Sequence, residues 1–227
     1  MPSRRRFVSL AAAGLLVRSL RPALRQSRAM KPRTPALLLL AAACVAATAA
    51  AGDPCADARR TDGWCQEEGI GYVANVGIHS RLLWDAMDAH GHVLDLSTFT
   101  CPTCRKAIDE EGFCEQHRTG FVKKLAYFSR LTYEMARGER IDPAKLHCSE
   151  CRRNTETTGW CAKHRTGMIG NVALRDRAAW ERAEAAVQIL RRAVDMLPHC
   201  EWCAIAMVTD TKCPIDKTQW RGGQPVR

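Results

Sequence analysis

Residues 101–120 read Cys-Pro-Thr-Cys-Arg-Lys-Ala-Ile-Asp-Glu-Glu-Gly-Phe-Cys-Glu-Gln-His-Arg-Thr-Gly. Their cysteines and histidine follow the spacing Cys-x2-Cys-x9-Cys-x2-His, which returns at residues 148–164. Three thiols and one imidazole suit a single tetrahedral Zn²⁺. The sequence therefore predicts two zinc sites, with the ligands Cys101, Cys104, Cys114 and His117 in one and Cys148, Cys151, Cys161 and His164 in the other.

The cysteine spacing belongs to a longer repeat of about fifty residues, a period typical of arrays of similar modules. Alignment on the third cysteine brings together a glycine, an aromatic residue and a helix-capping residue in three copies: Gly71, Gly120 and Gly167; Trp84, Tyr133 and Trp180; Ser80, Ser129 and Asp176. Each copy predicts an apolar strand or hairpin followed by a capped helix. We predict helices over residues 81–89, 130–137 and 177–196, each packed on its hairpin by the aromatic residue.

The outer copies depart from the full spacing. In the first copy, Gly52 replaces the first cysteine and Glu68 replaces the histidine, so Cys55 and Cys65 are predicted to form a disulfide. The last copy retains three cysteines with an acidic residue in the histidine position: Cys200, Cys203, Cys213 and Asp216. These residues predict a third metal site, completed by Asp216 or the neighbouring His199. The rival hypotheses are a Cys200–Cys203 disulfide and pairing with cysteines of the first copy.

The predicted fold class is α+β, built from tandem zinc-ribbon-like modules that each contain a knuckle, a strand and a helix. A module of this size buries too little apolar surface to be stable alone, so we expect metal to stabilise it. The predicted divisions are a targeting segment, a degenerate first module, two full modules and a terminal knuckle with a disordered tail: residues 1–51, 52–100, 101–147, 148–199 and 200–227.

The basic charge of the chain is concentrated at its start. Nine of the 34 Lys and Arg residues and none of the 24 acidic residues lie in residues 1–51, so the remainder is almost neutral. A neutral body lacks the positive surface needed to contact nucleic-acid phosphates, so we expect no nucleic-acid partner. The charge instead indicates a targeting segment.

The leader resembles export signals. Residues 30–51 have the basic start, apolar run and small-residue cleavage site of a signal peptide, and the true start is predicted at Met30. Residues 3–9 are similar to a twin-arginine signal, which would allow export of a folded protein. A lipid anchor at Cys44 is disfavoured because the usual leucine before it is missing. We predict an exported, periplasmic or secreted protein without a transmembrane span in its mature form.

The paired cysteine spacing resembles the short zinc-ribbon family, in which two Cys-x2-Cys pairs hold one ion. His117 and His164 here replace the last cysteine of that pattern. The resemblance implies a structural Zn²⁺ and a small β-knuckle, but no particular activity. The strand and capped helix that follow are loosely similar to bacterial metal-trafficking modules of the YHS or TRASH type, whose cysteines are placed differently.

Metal binding is the function that these residues predict. Three thiolates and an imidazole suit Zn²⁺ first and Cu(I) or Cd²⁺ second. A closed set of four ligands is typical of a structural site, so we expect no enzyme activity. The protein is predicted to act as a structural or interaction scaffold for an unknown protein partner, or to handle thiophilic metal in the cell envelope. The alternatives are a thiol–disulfide redox protein that uses its Cys-x2-Cys pairs and a secreted protein stapled by disulfides.

Overall fold

The computed structural model describes residues 53–226 and shows a mixed α+β protein with seven α-helices and small antiparallel sheets within that range. The targeting segment, including Met30 and Cys44, lies outside the described residues, as does Gly52. The described residues belong to one compact unit. The modules therefore pack on one another, which the sequence alone did not establish.

The helices and strands recur in the same order. The helices are α1 (Ala56–Thr61), α2 (Arg81–Met87), α3 (Pro102–Asp109), α4 (Arg130–Arg137), α5 (Ser149–Thr157), α6 (Arg177–Met196) and α7 (Glu201–Thr209). The strands are β1 (Trp64–Cys65), β2 (Ile70–Val73), β3 (Val76–Ile78), β4 (His92–Val93), β5 (Phe113–Cys114), β6 (Thr119–Val122), β7 (Leu125–Tyr127), β8 (Glu139–Arg140), β9 (Gly159–Cys161), β10 (Thr166–Ile169), β11 (Val172–Leu174), β12 (Gln219–Arg221) and β13 (Gln224–Val226). Two 3-10 turns, Leu96–Thr98 and Pro143–Lys145, precede α3 and α5.

Each module begins with a short helix and continues into a three-strand meander and a second helix. The sheets have the strand orders β1-β2-β3, β4-β7-β6-β5 and β8-β11-β10-β9, with a separate β12-β13 hairpin. The strand after α2 joins the sheet of the second module, and the strand after α4 joins that of the third. In the described residues the fourth module comprises α7 and the β12-β13 hairpin. Hydrogen-bonded strands therefore link the first module to the second and the second to the third.

A tight turn with left-handed backbone connects each short helix to its strand. Asp62, Glu111, Thr158 and Asp210 occupy equivalent positions with φ values of 56°, 53°, 56° and 55°. In three copies the acidic side chain of this residue accepts a backbone N–H from the tip of the hairpin that follows. The turn thus fixes both the direction of the strand and the position of the hairpin tip.

The repeated aromatic ring packs on its hairpin, as predicted, and the repeated glycine makes room for it. A Cβ atom added at Gly71, Gly120 or Gly167 would lie 2.1–2.2 Å from the ring of Trp84, Tyr133 or Trp180. Each ring also meets the aromatic residue before the third cysteine, with centroids 5.2–5.7 Å apart. The arginine after each cap lies over these rings: Arg81, Arg130 and Arg177. This contact anchors the second helix of each module on its hairpin.

The main hydrophobic core lies among the second helices of the first three modules and the short helix of the fourth. Leu83 of α2, Leu131 of α4, Val187 and Leu190 of α6, and Ala204 of α7 are all completely buried in it. Helix α6 has the predicted bounds and buries one face, because its apolar residues recur at three- and four-residue steps. This core is distinct from two smaller clusters around the cysteines of the second and third modules.

Four expectations are corrected by the structure. The helix predicted over residues 81–89 ends at Met87, because Asp88 has left-handed backbone geometry with φ 51°. Ser129 precedes α4 but makes no side-chain capping bond, whereas Ser80 and Asp176 do. The first cysteine pair of each full module begins a helix instead of a knuckle. The tail predicted to be disordered contains the β12-β13 hairpin, joined over three residue pairs.

Polar side chains connect the first and third modules. Asp62 is almost fully buried, and its Oδ2 atom lies 2.7 Å from the Arg140 guanidinium. Arg140 belongs to β8, the edge strand of the sheet of the third module. The Asn75 side-chain amide donates to the Thr155 carbonyl over 2.7 Å. The hairpin tip of the first module thereby rests on the third module rather than on its neighbour in sequence.

Candidate metal centres

The same local frame carries the ligands of each cluster. The first cysteine is the N-cap residue of a short helix, and the second lies in its first turn. The third cysteine ends the next strand, and the histidine or acidic residue follows three positions later. Because the left-handed turn folds the strand back along the helix, residues nine or more positions apart meet at the helix start. Three such clusters, compatible with metal-binding modules, occur among the described residues.

In the second module, the four predicted ligand residues converge. The sulfur atoms of Cys101, Cys104 and Cys114 and one ring nitrogen of His117 all lie within 4.8 Å of one another. His117 Nδ1 is 3.3 Å from the Cys104 sulfur and 3.6 Å from the Cys114 sulfur. Metal–ligand bonds of zinc length set the sulfur–nitrogen edge of a tetrahedron at about 3.6 Å. We call these residues the second-module centre, and its donor set fits one thiophilic ion.

The third module repeats this arrangement as the third-module centre, formed by Cys148, Cys151, Cys161 and His164. His164 Nδ1 lies 3.3 Å from the Cys151 sulfur and 3.4 Å from the Cys161 sulfur. In both centres the histidine is exposed, the first cysteine is half-buried and the other two are buried. An ion held here would therefore have two ligands in the interior and two at the surface.

The fourth module brings together Cys200, Cys203 and Cys213, which we call the terminal cluster. The Cys200 and Cys213 sulfurs are 3.9 Å apart, close to the edge of about 3.8 Å that zinc–thiolate bonds impose. Asp216 Oδ2 accepts a bond from the Cys203 thiol over 3.0 Å. All three cysteines are free, so the rival Cys200–Cys203 disulfide is not formed. The three cysteines could hold a metal ion, whereas the predicted fourth ligand, Asp216, contacts Cys203 but lies outside the group of ligand atoms within 4.8 Å of one another.

The first module differs, because a disulfide joins Cys55 and Cys65. These residues occupy the positions of Cys104 and Cys114 in the second module. Glu68, in the histidine position, is outside the groups of converging metal ligands found among the described residues. The first module therefore replaces a potential metal site with a covalent link between the same two elements.

Burial and hydrogen bonding give the two thiols of each Cys-x2-Cys pair different pKa values. The backbone N–H of Cys104 donates to the Cys101 sulfur and lowers the pKa of Cys101 to about 7. Burial raises the pKa of Cys104 to about 12. The third module behaves in the same way: the N–H of Cys151 lowers the pKa of Cys148, and burial raises the pKa of Cys151 to about 12. The outer thiol ionises readily, whereas the inner thiol needs a nearby cation.

The acidic residue of the terminal cluster is held in its charged form. The bond from the Cys203 thiol, followed by backbone N–H donation from Thr218, lowers the pKa of Asp216 to about 2. Burial in turn raises the pKa of Cys203. A carboxylate is a harder ligand than an imidazole, so the terminal cluster has a harder donor beside its cysteines than the other two centres have.

Glu150 is a residue that the sequence analysis did not select. It lies between the two cysteines of the third-module pair, and its Oε2 atom accepts a bond from the Cys161 sulfur over 3.1 Å. The equivalent residue of the second module is Thr103. The sequence does show a carboxylate between the two cysteines of a Cys-x2-Cys pair. Only the helical turn at Cys148 shows that the Glu150 side chain points back to Cys161.

The remaining histidines lie outside the converging ligand groups of the described residues. His92 pairs with Asp88 over 3.2 Å and stacks on Phe128 with a centroid distance of 5.1 Å. Burial, partly offset by His92, raises the pKa of Asp88 to about 6. His90 packs edge-on against Trp84. These contacts account for His90 and His92 through packing and ion pairing.

No protein-family model, curated protein or solved structure matches the chain. No helix among residues 53–226 is both long and apolar enough to cross a membrane. Interpretation of the centres therefore rests on their own geometry and on comparison among the modules.

Proposed function

We propose that the protein binds and exchanges thiophilic metal, with Zn²⁺ as the first choice, in the cell envelope or outside the cell. The observation that carries this proposal is the convergence of three cysteine sulfurs and a histidine nitrogen within 4.8 Å in two separate modules. We propose that the second-module centre and the third-module centre each bind one ion. The terminal cluster is proposed as a third site, with Asp216 as its fourth ligand.

The choice of metal rests on ligand chemistry. Thiolates select soft or borderline ions, and three thiolates with one imidazole are a common zinc set. Cu(I) and Cd²⁺ are the next best matches. A set of four protein ligands leaves no open position for a reacting water, which favours a non-catalytic role.

Surface placement favours exchange over a purely structural role. His117 and His164 are exposed, and the first cysteine of each pair is half-buried, so two of four ligands are within reach of an incoming chelating group. The main core contains none of the ligands of these two centres. Loss of metal from these two centres would therefore disturb the small clusters around their cysteines while α2, α4, α6 and α7 remain packed.

Export is part of the proposal and rests on the sequence of residues 1–51. The Cys55–Cys65 disulfide supports an oxidising compartment, where such bonds persist. Free thiols in such a compartment oxidise unless metal occupies them first. A chain exported in its folded, loaded form would avoid this conflict, which gives residues 3–9 a purpose.

A thiol–disulfide exchange function is the second candidate. The observation in its favour is that Cys101, Cys148 and Cys200 each begin a helix, the position of the reactive cysteine in redox motifs. The antiparallel sheets of the described residues differ from the βαβ unit that usually carries such a motif. Reduction of an added disulfide substrate by the metal-free chain, abolished in Cys101→Ser and Cys148→Ser, would support this candidate.

Metal removal tests the proposed exchange function. A chelator should remove metal from the second-module and third-module centres while most of the far-ultraviolet circular dichroism signal of the helices is kept. The matched variant Cys104→Ser/Cys151→Ser, which loses one buried ligand from each centre, should stay helical and bind at most one ion. Metal loss that occurs only together with loss of the helical signal would instead establish a structural scaffold.

A further inference from the structure

The second-module and third-module centres have the same ligands but different surroundings. A cleft of about 370 Å³ adjoins the third-module centre and is lined by Cys148, Cys151 and His164. Its other walls include Ile141, Leu146 and Met168. Volumes of this size accommodate small organic ligands. The cleft therefore gives a small molecule access to three of the four ligand residues.

Position-by-position comparison explains why the cleft forms. Leu146 and Met168 correspond to Phe99 and Phe121 of the second module. Those two rings meet edge to face with centroids 5.3 Å apart and pack against the small cluster around Cys104 and Cys114. Replacement of the two rings by unbranched or smaller aliphatic side chains leaves space beside the third-module centre.

The rim of the cleft carries two cations, Lys145 and Arg175, and one carboxylate, Glu139. Lys145 and Arg175 line it, and Arg175 stands in the position of Phe128 in the second module. Their ion pairs, with Asp142 at 3.7 Å and Glu139 at 3.5 Å, involve largely exposed side chains. Exposed pairs of this kind are weak, so either cation is free to bind another anion.

We propose that this cleft binds a small acidic thiol, which exchanges ligands with the metal of the third-module centre. The carboxylate of the ligand would pair with Arg175 or Lys145, and its apolar carbons would contact Leu146 and Met168. The inference rests on the proposed metal-binding function and adds the class of exchanging molecule and its site.

The exchange step would conserve charge and oxidation state. The ligand's sulfur would bond to the metal as a thiolate while the bond between the metal and the Cys148 sulfur breaks, and the proton of the incoming thiol would pass to the departing Cys148 sulfur. Cys148 is half-buried and lines the cleft, whereas Cys161 is buried. The Glu150 carboxylate accepts a bond from the Cys161 thiol over 3.1 Å, so Cys161 is held by a second contact that Cys148 lacks. No electron is transferred in this step.

The test uses the full chain loaded with ¹¹³Cd²⁺ and nuclear magnetic resonance of the metal. Resonances are assigned with Cys114→Ser and Cys161→Ser, which each remove one centre. Added 3-mercaptopropionate should shift the third-module resonance saturably and leave the second-module resonance unchanged over the same range. Propionate should shift neither resonance, and 2-mercaptoethanol, which lacks the carboxylate, should need at least tenfold higher concentration.

Exchange of equivalent residues between the second and third modules provides variants that fill or open the space beside each centre. Leu146→Phe/Met168→Phe should weaken the response to 3-mercaptopropionate at least tenfold while the third-module resonance itself remains, which shows that metal is still bound. Phe99→Leu/Phe121→Met should open the corresponding space and create a response at the second-module centre. Equal shifts at both centres of the unaltered chain, or an unchanged response in the filled variant, would overturn the proposal. Absence of bound metal before any thiol is added would instead contradict the proposed function.

Discussion

The first and second modules share one frame but differ in the link that closes it. A disulfide joins Cys55 to Cys65 in the first module, whereas the equivalent Cys104 and Cys114 stay free and converge with Cys101 and His117. Both frames have a left-handed acidic residue at the turn and an aromatic ring over a glycine. The frame therefore brings the two inner cysteines together in either case.

The difference between the modules lies in two further positions. Gly52 and Glu68 stand in the first module where Cys101 and His117 stand in the second. With only two thiols, the site lacks the donor set that zinc prefers, and oxidation to a disulfide is the remaining way to join helix and strand. The comparison teaches that one frame carries either a disulfide or a cluster of four residues that could hold a metal ion, and we propose that the outer pair of ligands selects between the two links.

The largest expected effect comes from giving the second module the pattern of the first. Cys101→Gly/His117→Glu should lower the metal content by one ion per chain and produce a Cys104–Cys114 disulfide in air. Structural zinc contributes about 10–16 kcal/mol to small domains and a short disulfide loop about 3 kcal/mol, so the free energy of local unfolding should fall. Peptide mapping by mass spectrometry and hydrogen exchange over residues 102–127 measure these changes.

Two outcomes would break this comparison. A double variant that still binds its ion would show that Cys104 and Cys114 suffice, and pairing of either cysteine with a different thiol would show that the frame does not hold them together. Cys148→Gly/His164→Glu provides the matched control, with Cys151–Cys161 as the expected bond.

A smaller effect is expected from the glycine beneath the aromatic ring, which both modules share. Gly71→Ala and Gly120→Ala should each lower the free energy of unfolding by about 3 kcal/mol, because the added Cβ atom overlaps Trp84 or Tyr133. Gly69→Ala is the control: its φ is +62° but nothing lies within 4 Å of the added atom, so about 1 kcal/mol is expected. Urea unfolding of the metal-loaded chain measures all three.

Comparison with Gly69→Ala tests the anchoring role of the rings. Losses for Gly71→Ala and Gly120→Ala no greater than that for Gly69→Ala would contradict the anchoring role of the rings.

The smallest expected effect on stability comes from the left-handed turn residue, which is Asp62 in the first module and Glu111 in the second. Asp62 is 3% exposed and its side chain contacts both the Ala74 N–H and Arg140, whereas the exposed side chain of Glu111 accepts the Lys123 N–H. Asp62→Asn keeps a residue that tolerates left-handed backbone but loses the charge, which should cost about 1–2 kcal/mol. Glu111→Gln should cost less than about 0.5 kcal/mol, as usual for exposed sites. Equal urea midpoints for the two variants would contradict the linking role of Asp62.

Sequence patterns predicted the helices whose formation depends on residues close together in the sequence. Helices α4 and α6 were predicted with their observed bounds, because apolar periodicity and flanking capping or glycine residues mark them. The short helices α3 and α5 were missed, because they are largely polar and are formed around a cysteine pair that also suits a knuckle. Helix α7 was missed for the opposite reason: it is apolar on several sides, so its sequence lacks the single apolar face that marks an amphipathic helix.

The candidate centres were predictable because ligand spacing survives in the sequence, whereas their surroundings were not. The contact of Asp62 with Arg140 spans 78 residues and leaves no local pattern. Likewise, the cleft beside the third-module centre depends on the absence of two phenylalanine rings, and alignment of the copies reveals this only once the packing of Phe99 on Phe121 is known.

The most direct test of metal binding is a combined count of metal ions and reactive thiols, on protein purified from its native compartment without reductant. We predict at least two zinc ions per chain, one disulfide between Cys55 and Cys65, and thiols in the two Cys3His centres that react only after a chelator is added. A chain without metal, in which Cys101, Cys104, Cys114 and their counterparts are already paired as disulfides, would contradict this account.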